Sequence, residues 1–508
     1  MNRNTIIAIL LSSVIYIVWF TYIAPPPKKE RLENKKQEIK IDNQNKIKAE
    51  SANMGTSDKK EKVSNTKTIS VKTQKSEILL TSNGTIKNLI YNGPINKIDF
   101  SISEDSVFLS MLEDIPLKPI SVDSNKAVFE GQVNKGLKLR KEITFKDQDL
   151  NELNLTFINE SAKKYIIPTF SIKMGPGLGT VESEKKENPK IITANYTFKE
   201  EGKKHPTIVK IKGDVKRDDW IWAGLNNRYF LFALINDGHL SNIAYENMDI
   251  GENKFPFIKI YTKEFIINPN EKKEIKLNFY AGPKDYQLLK KLDNGLDRSV
   301  DFGFFAPLAK LADSSLKFFY SKIGNYGLAI IVLSIVIQII IFPLSMKSYK
   351  AMAVMKKLQP EMQALQLKYK NDPKRMNLEL MELYKKYGAN PLSGCWPMLL
   401  QIHIFFSLFT ALRNSWNLHG AHFAFWIKDL SAKDPYYVLP LIMGALMFWQ
   451  QILNPQTTGD PTQNKIMKWM PVVFIFFFLS LPAGLVIYWI INSIFSVGQT
   501  LYLKSKEE

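Results

Sequence analysis

Long uncharged runs of apolar residues constrain this chain more than any other feature. One run covers residues 5–23, and the others lie within 324–346, 394–412, 436–453 and 469–503. A helix of about 20 apolar residues crosses the hydrocarbon core of a bilayer. The last segment is long enough for two crossings, at 469–481 and 484–503. The sequence therefore predicts a membrane protein with six transmembrane helices.

The first run predicts an uncleaved N-terminal anchor at 1–23. A cleaved signal peptide is the alternative, but this run is longer than a signal-peptide core, and the following YIAPPP offers no A-x-A-like cleavage site. We therefore expect the anchor to remain in the membrane.

The charges of the loops predict the orientation of the chain. The loop at 347–390 contains ten Lys or Arg against four Asp or Glu, whereas the loop at 413–435 contains three against two. Short loops rich in Lys and Arg stay in the cytoplasm. We therefore expect 347–390, both termini and the tail at 504–508 to be cytoplasmic. Long translocated domains are largely exempt from this rule, so the lysines after the first span do not contradict it.

The region between the first two spans divides into three parts. Residues 24–75 are rich in Lys, Glu, Asn and Gln, a composition typical of a disordered tether. Residues 76–303 contain short alternating runs such as LKLRKEITF and KEIKLNFYAG separated by turn residues, which predict a large all-β sandwich. Residues 304–322 place apolar side chains near helical spacing between lysines, as in a helix lying on the membrane surface. An ordinary helix packed on the β domain fits that spacing equally well.

The bulk composition excludes several classes of function. The formal net charge of +19 favours anionic partners, yet no zinc-finger spacing, RNP-like strand or helix-turn-helix pattern predicts recognition of a specific nucleic-acid sequence. The chain has one cysteine, Cys395, and its five histidines form no H-E-x-x-H pattern, so we expect no metal site. No catalytic residue and no cofactor is predicted.

Heptad spacing predicts an antiparallel helical hairpin within 347–390. The first helix carries the seam Met355, Leu358, Met362, Leu365 and Tyr369, and the second carries Met376, Leu380, Leu383 and Tyr387. Asn371, Asp372 and Pro373 provide a cap and a first helical residue, and Gly388 provides a stop. Pro360 is expected to interrupt the first helix.

Polar side chains recur at helical spacing inside three of the predicted spans. The pairs and stripes are Ser334 with Gln338, His403 with Ser407 and Thr410, and Tyr488 with Asn492, Ser496 and Gln499. Polar groups at bilayer depth are costly, so helices that carry them can pack to enclose a hydrated groove. Ordinary hydrogen bonds between helices are the alternative, above all for Ser and Thr.

Two further functions remain open on these residues. A small-solute transporter requires inverted repeats and a charged or broken-helix site, and no Asp, Glu, Lys or Arg falls inside the predicted spans. A membrane-anchored carbohydrate-binding scaffold could use aromatic residues of the β domain, such as Trp220, Trp222 and Tyr229, but leaves five spans without a purpose.

Several segments resemble the YidC/Oxa/Alb family of membrane protein insertases. They are FPLSMKSYKAMAVMKKLQPEMQALQ (342–366), NPLSGCWPMLLQIHIFFSLF (390–409), FWIKDLSAKDPYYVLPLIMG (425–444), NKIMKWMPVVFIFFFLSLPAGLVIYW (464–489) and YAGPKDY (280–286). The resemblance implies a five-helix insertase core at 323–503, an N-terminal anchor, a periplasmic β-supersandwich and a cytoplasmic hairpin. It also implies a Gram-negative inner membrane and a groove open to the cytoplasm and to lipid.

The resemblance also implies roles for individual residues and partners. Groove positions are Ser334, Gln338, His403, Ser407, Tyr488, Trp489, Asn492 and Ser496, and Gln338 stands where the family pattern has an arginine. Apart from the resemblance, flexible methionine side chains suit an adaptable binding surface, so contacts with clients or the ribosome are predicted at Met352, Met355, Lys356, Lys357 and Met362 of the basic hairpin. Packing in the hairpin core is the alternative for the seam methionines Met355 and Met362. Expected partners are nascent membrane proteins, the Sec translocon, the ribosome, the signal recognition particle pathway and the phospholipid bilayer.

Overall fold

A computed structural model of the chain describes residues 50–51, 68–388, 396–453, 469 and 474–507. The predicted anchor at 1–23, most of the predicted tether at 24–75 and part of the predicted span at 469–481 lie outside these residues. The described part contains a β domain, a group of apolar helices and a helical hairpin.

The β domain is built from twenty strands. In chain order they are β1 (Glu50–Ser51), β2 (Ile69–Lys72), β3 (Ser76–Leu80), β4 (Ile86–Asn92), β5 (Lys97–Asp99), β6 (Val107–Ser110), β7 (Lys118–Val122), β8 (Lys126–Asn134), β9 (Leu137–Thr144), β10 (Asn151–Asn159), β11 (Tyr165–Ile167), β12 (Ser171–Gly175), β13 (Thr193–Phe198), β14 (Thr207–Lys210), β15 (Trp220–Asn226), β16 (Phe230–Ile235), β17 (Leu240–Ile250), β18 (Asn253–Thr262), β19 (Phe265–Ile267) and β20 (Lys272–Pro283).

Two large antiparallel sheets contain most of these strands. One has the order β14-β13-β15-β16-β20-β10-β9-β8-β7, and the other has the order β17-β18-β12-β6-β4-β3-β2 with β5 added beside β4. Side chains alternate between buried and accessible along β9, as expected when one face of a strand covers a core. The prediction of a large β-sandwich is confirmed. Because β2 already belongs to a sheet, the β region begins before residue 76, and the predicted tether at 24–75 extends too far.

Eight helices complete the described chain. They are α1 (Asn188–Ile191), α2 (Tyr286–Lys291), α3 (Ala306–Ile323), α4 (Tyr326–Lys368), α5 (Pro373–Lys386), α6 (Trp396–Arg413), α7 (Val438–Leu453) and α8 (Ala483–Glu507). Residues 474–478 are also helical. Within α4 and α8, Tyr326–Met355 and Ala483–Leu503 are long and apolar enough to cross a membrane, and Leu400–Arg413 and Val438–Leu453 are shorter apolar helices.

Helix α3 connects the β domain with the apolar helices. Its Ala309 belongs to a core cluster with β-domain residues, whereas Leu316 belongs to the cluster formed by α4, α6, α7 and α8. Lys317 Nζ lies 2.8 Å from Asp285 Oδ1 at the start of α2. Burial raises the pKa of the Asp285 carboxyl, but Lys317 and hydrogen bonds from Asn417 and Leu288 bring that pKa below its ordinary value. The ionised carboxylate therefore ties three elements together.

The remaining face of α3 is apolar and exposed. Leu308 and Leu311 are 44% and 63% exposed. The helix thus combines both expectations from its sequence, because one side packs on protein and another leaves apolar side chains uncovered.

The hairpin is built differently from the sequence expectation at one point. Helix α4 is 43 residues long and contains both Pro343 and Pro360, so the interruption predicted at Pro360 is wrong. The wide hydrophobic seam holds the helix together there, because Met355, Leu358 and Met362 on α4 pack against Leu380 and Leu383 on α5. The predicted turn is confirmed: the Asp372 side chain caps α5 by accepting from the Arg375 backbone N–H.

Candidate functional site

The predicted polar stripe on α8 contacts three other helices. Its central member, Asn492, accepts a hydrogen bond through Oδ1 from Gln338 Nε2 on α4. Gln338 is 5% exposed and Asn492 is partly exposed. The two large amides of the predicted stripes on α4 and α8 therefore meet each other.

The member of the stripe nearest the start of α8 contacts α6. Tyr488 is fully buried, and its hydroxyl accepts a hydrogen bond of 2.7 Å from Gln401 Nε2. In the sequence Gln401 lies off the stripe formed by His403, Ser407 and Thr410. The structure shows that Gln401 provides a polar contact to α8.

The third contact joins α4, α7 and α8. Ser496 Oγ lies 2.9 Å from the Tyr349 hydroxyl and accepts a hydrogen bond of 2.7 Å from Gln450 Nε2. Sequence reasoning missed Tyr349 and Gln450, because each lies near the end of an apolar run where a polar residue is unremarkable. We call the seven interhelical side chains the polar layer: Gln338, Tyr349, Gln401, Gln450, Tyr488, Asn492 and Ser496.

The other predicted groove residues are arranged in different ways. Ser334 and Ser407 are buried, and their hydroxyls donate to the carbonyls of Ile330 and His403 within their own helices. This is the ordinary way for a serine to satisfy its hydroxyl inside a helix. His403 is exposed, and its ring packs at 4.8 Å from Phe305, just before α3.

Trp489 lies beside the polar layer with an apolar environment. Its ring centroid is 5.0 Å from Phe405 on α6 and 5.1 Å from Phe478. Trp489 is partly exposed, so its ring is not fully covered by these two phenylalanines. Gln338, Tyr488, Asn492 and Ser496 therefore meet partners on other helices, whereas the hydroxyls of Ser334 and Ser407 bond within their own helices. A client groove at the predicted residues stays a prediction.

The chemistry of the polar layer is neutral hydrogen bonding. Every member is an amide or a hydroxyl, and six of the seven lie in predicted spans without Asp, Glu, Lys or Arg, whereas Tyr349 lies between Lys347 and Lys350. Such groups can both donate and accept, so they can exchange partners with a peptide backbone without a change of charge. They offer no nucleophile with an adjacent base, so the layer is suited to binding rather than to covalent chemistry.

The loop that contains Leu430 and Ala432 binds the first residues of α8. The first backbone N–H groups of a helix have no partner within the helix. In α8, Ala483 N–H donates to the Ala432 carbonyl at 2.8 Å, and Gly484 N–H donates to the Leu430 carbonyl at 3.0 Å. Leu430 is fully buried in the core of the bundle, so the loop is packed against the start of α8.

The hairpin residues predicted to contact clients are partly internal. Met355 and Met362 are 8% and 7% exposed and pack in the hairpin core, which corrects their assignment to a contact surface. Lys357 is exposed, and the side chains of Met352 and Lys356 lie outside the described part of the chain. Exposed apolar side chains occur instead at Leu367, Leu378 and Met381.

Comparisons with known proteins identify the family. The family model described as the 60Kd inner membrane protein matches residues 318–508, and the model of the YidC periplasmic domain matches residues 72–311. The membrane protein insertase YidC of Endomicrobium trichonymphae is 34% identical over 527 residues, which cover 100% of this chain and 99% of that protein. The chain belongs to the YidC family of membrane protein insertases.

The chain is also similar to a second insertase and to a solved structure. The insertase of Syntrophus aciditrophicus is 45% identical over 291 residues, which cover 57% of this chain and 53% of that protein. A crystal structure of an active YidC insertase covers 87% of this chain with 19% identity and a TM-score of 0.41. The predictions of an inner-membrane insertase, not an enzyme, and of a periplasmic β-sandwich domain are confirmed.

Proposed function

We propose that the polar layer is the place where this insertase receives the hydrophilic part of a client. The observation that supports this role is the hydrogen bond between Gln338 and Asn492, which joins two amides on different helices within spans that lack charged residues. A client backbone group can replace either amide as a partner. The exchange keeps every polar group hydrogen-bonded while part of the client lies at bilayer depth.

The free energy for insertion comes from the client itself. A polar peptide group moved into hydrocarbon without a partner costs several kcal/mol. The polar layer lowers that cost, and the client's apolar helix gains about 25 cal/mol per Å² of apolar surface as it leaves water for lipid. This balance requires no nucleotide and no ion gradient.

We place the hairpin and both termini in the cytoplasm, with six spans in total. The positive balance of the loop at 347–390 supports this orientation, since Lys357 and its neighbours favour the cytoplasmic side. Six spans with cytoplasmic termini are compatible with a periplasmic β domain, because that domain lies between the first and second predicted spans. The span at 5–23 is assigned from its sequence alone.

The hairpin is suited to receive clients as they leave the ribosome. Its ten Lys or Arg attract the phosphates of ribosomal RNA, and we propose the signal recognition particle pathway as the source of these clients. Leu378 and Met381 are 64% and 68% exposed on α5 and offer apolar contact to a client helix. Cooperation with the Sec translocon follows from the same role, because both act on membrane proteins during synthesis.

Photocross-linking tests this proposal directly. A photoreactive residue at position 338 or 488 is expected to form adducts with a ribosome-bound client in proteoliposomes. Position 340 is the matched control, because Ile340 lies on the same helix as Gln338 but is 71% exposed on the outer face. Equal adducts at 338 and 340, or adducts at neither 338 nor 488, would refute a client site at the polar layer.

A further inference from the structure

The loop between α6 and α7 contains a tight turn that presents an aromatic side chain at its tip. Phe423 N–H donates to the Ile427 carbonyl at 3.0 Å, and Ile427 N–H donates to the Ala424 carbonyl at 3.1 Å. Phe425 at the tip is 86% exposed and has a φ of 51°. A positive φ is strained for a residue with a bulky side chain. We call residues 423–427 the aromatic turn.

The first turn of α4 fixes one side of the aromatic turn. Asn325 Nδ2 donates to the Phe423 carbonyl at 2.9 Å. The Phe423 ring lies against Gly327, where a β-carbon would be 1.9 Å from a ring carbon, so a larger residue at 327 would displace the ring. From Tyr326 onward, α4 is long and apolar enough to cross a membrane. The aromatic turn therefore lies level with the point at which α4 enters the bilayer.

The start of α7 fixes the other side of the aromatic turn. Trp426 Nε1 donates to Asp434 Oδ1 at 3.0 Å, and Asp434 Oδ2 accepts from the Leu439 N–H at 2.7 Å. Asp434 is 2% exposed, so its carboxylate is enclosed between the turn and the beginning of the helix. Helix α7 is apolar, and its Leu441 is 59% exposed. The turn is thus held between the starts of two apolar helices.

The side chains around Phe425 are those of a lipid interface. Trp426 is partly exposed and Tyr436 is 67% exposed, with their ring centroids 6.4 Å apart. Lys428, three residues after Phe425, is exposed. Trp and Tyr concentrate where hydrocarbon meets lipid headgroups, and the Lys amine is attracted by headgroup phosphates. The arrangement fits hydrocarbon around the Phe425 ring and headgroups around its neighbours.

We propose that the aromatic turn dips into the bilayer and that the Phe425 ring lies among the acyl chains of the periplasmic leaflet. The turn is continuous with the starts of α4 and α7, whose exposed apolar side chains already border lipid. Transfer of the ring from water into hydrocarbon is favourable and offsets the strain of its backbone. The loop predicted at 413–435 then has a membrane-embedded segment of its own, which does not involve the polar layer or a client.

Spin labels on the full-length insertase test this contact in vesicles of phosphatidylethanolamine and phosphatidylglycerol without any client. Cys395→Ser removes the single cysteine, and Phe425→Cys, Ile120→Cys and Ile340→Cys then each receive one nitroxide. Ile120 on β7 is 62% exposed and serves as the aqueous reference, whereas Ile340 on α4 is 71% exposed and serves as the lipid reference. The ratio of collisions with oxygen to collisions with a polar nickel chelate should be at least about fivefold higher at 425 than at 120, because hydrocarbon excludes the polar chelate.

Photolabelling with an aromatic side chain in place complements the spin labels. Benzoylphenylalanine at position 425 should form lipid adducts in mass spectra of the intact protein, whereas the same residue at position 120 should form none. An oxygen-to-nickel ratio at 425 equal to that at 120 overturns the proposal, and so does photolabelling at 425 without lipid adducts. Spin–spin broadening between labels at 425, or cross-linked dimers, would show that a second copy of the chain covers the ring and would also overturn it.

Discussion

The hydrogen bond between Gln338 and Asn492 allows a structural role to be separated from a role in insertion. Replacing Asn492 by Leu leaves the buried Gln338 amide without this partner, and replacing Gln338 by Leu leaves the partly exposed Asn492 amide without it. A buried polar group that loses its partner costs about 1–3 kcal/mol. Measured bonds between membrane helices average about 0.6 and reach about 1.7 kcal/mol. We therefore expect Gln338→Leu and Asn492→Leu each to reduce the free energy of unfolding by about 1 kcal/mol.

The double variant should behave differently in the two assays. When both partners are replaced by apolar side chains no amide remains unpaired, so the free energy of unfolding should recover to near the wild-type value. Insertion should not recover, because the client then finds no amide at this depth. A loss of about 1.4 kcal/mol of stabilisation corresponds to about a tenfold lower insertion rate.

Two measurements on the same proteoliposome preparations decide the matter. Unfolding by steric trapping gives the free energies, and the protease-protected fraction of a client with a polar translocated segment gives the rates. Thr500→Val is a matched control, because the buried Thr500 hydroxyl donates to the Ser496 carbonyl of its own helix. A double Leu variant that folds normally and inserts the client at the wild-type rate would refute the proposed role of the polar layer.

Three further predictions follow from single side chains. Burial lowers the pKa of the Lys141 amine to about 7. The free energy of unfolding should therefore rise with pH between about 7 and 10, and Lys141→Met should reduce the slope of that rise by up to about 1.4 kcal/mol per pH unit in thermal melts. An unchanged slope in the variant would contradict the pKa shift. Leu378→Ser should weaken client binding at unchanged stability, whereas Leu380→Ser, at a buried position, should destabilise the hairpin in circular dichroism melts. Gln338→Arg should speed insertion of clients with acidic translocated segments, in a salt-sensitive manner, and equal rates for neutral and acidic clients would count against it.

Spacing along the chain was sufficient to find the polar stripe on α8 but not its partners. Tyr488, Asn492 and Ser496 follow helical spacing, and each contacts another helix. Their partners depend on how the helices rotate and cross, which spacing within one helix does not encode. For this reason spacing along α6 selects Ser407 and leaves out Gln401. In the structure Gln401 bonds to Tyr488 on α8, whereas the Ser407 hydroxyl donates to a carbonyl of its own helix.

The β-sandwich and the hairpin turn were predictable because local signals determine them. Alternating side chains define a strand such as β9, and Asp372 caps α5 through its immediate neighbours. Trp416, which follows α6 and packs in the core of the sandwich, carries no such signal, since its aromatic partners Tyr91 and Phe230 lie far away in the sequence. Pro360 is the opposite case, because its local signal predicts an interruption that the structure does not show. Helix α4 continues through it, since the seam residues before and after Pro360 pack against α5.

The uninterrupted length of α4 has a mechanical consequence. Of the 43 residues of α4, the 30 that follow Gln338, about 45 Å at 1.5 Å per residue, join that amide to the tip of the hairpin. A force that tilts the tip therefore acts on the same helix that carries Gln338. Pro343 follows Gln338 by five positions and lacks a backbone donor, so bending concentrates beside the Asn492 contact. A displacement of the hairpin tip is therefore transmitted along α4 toward Gln338.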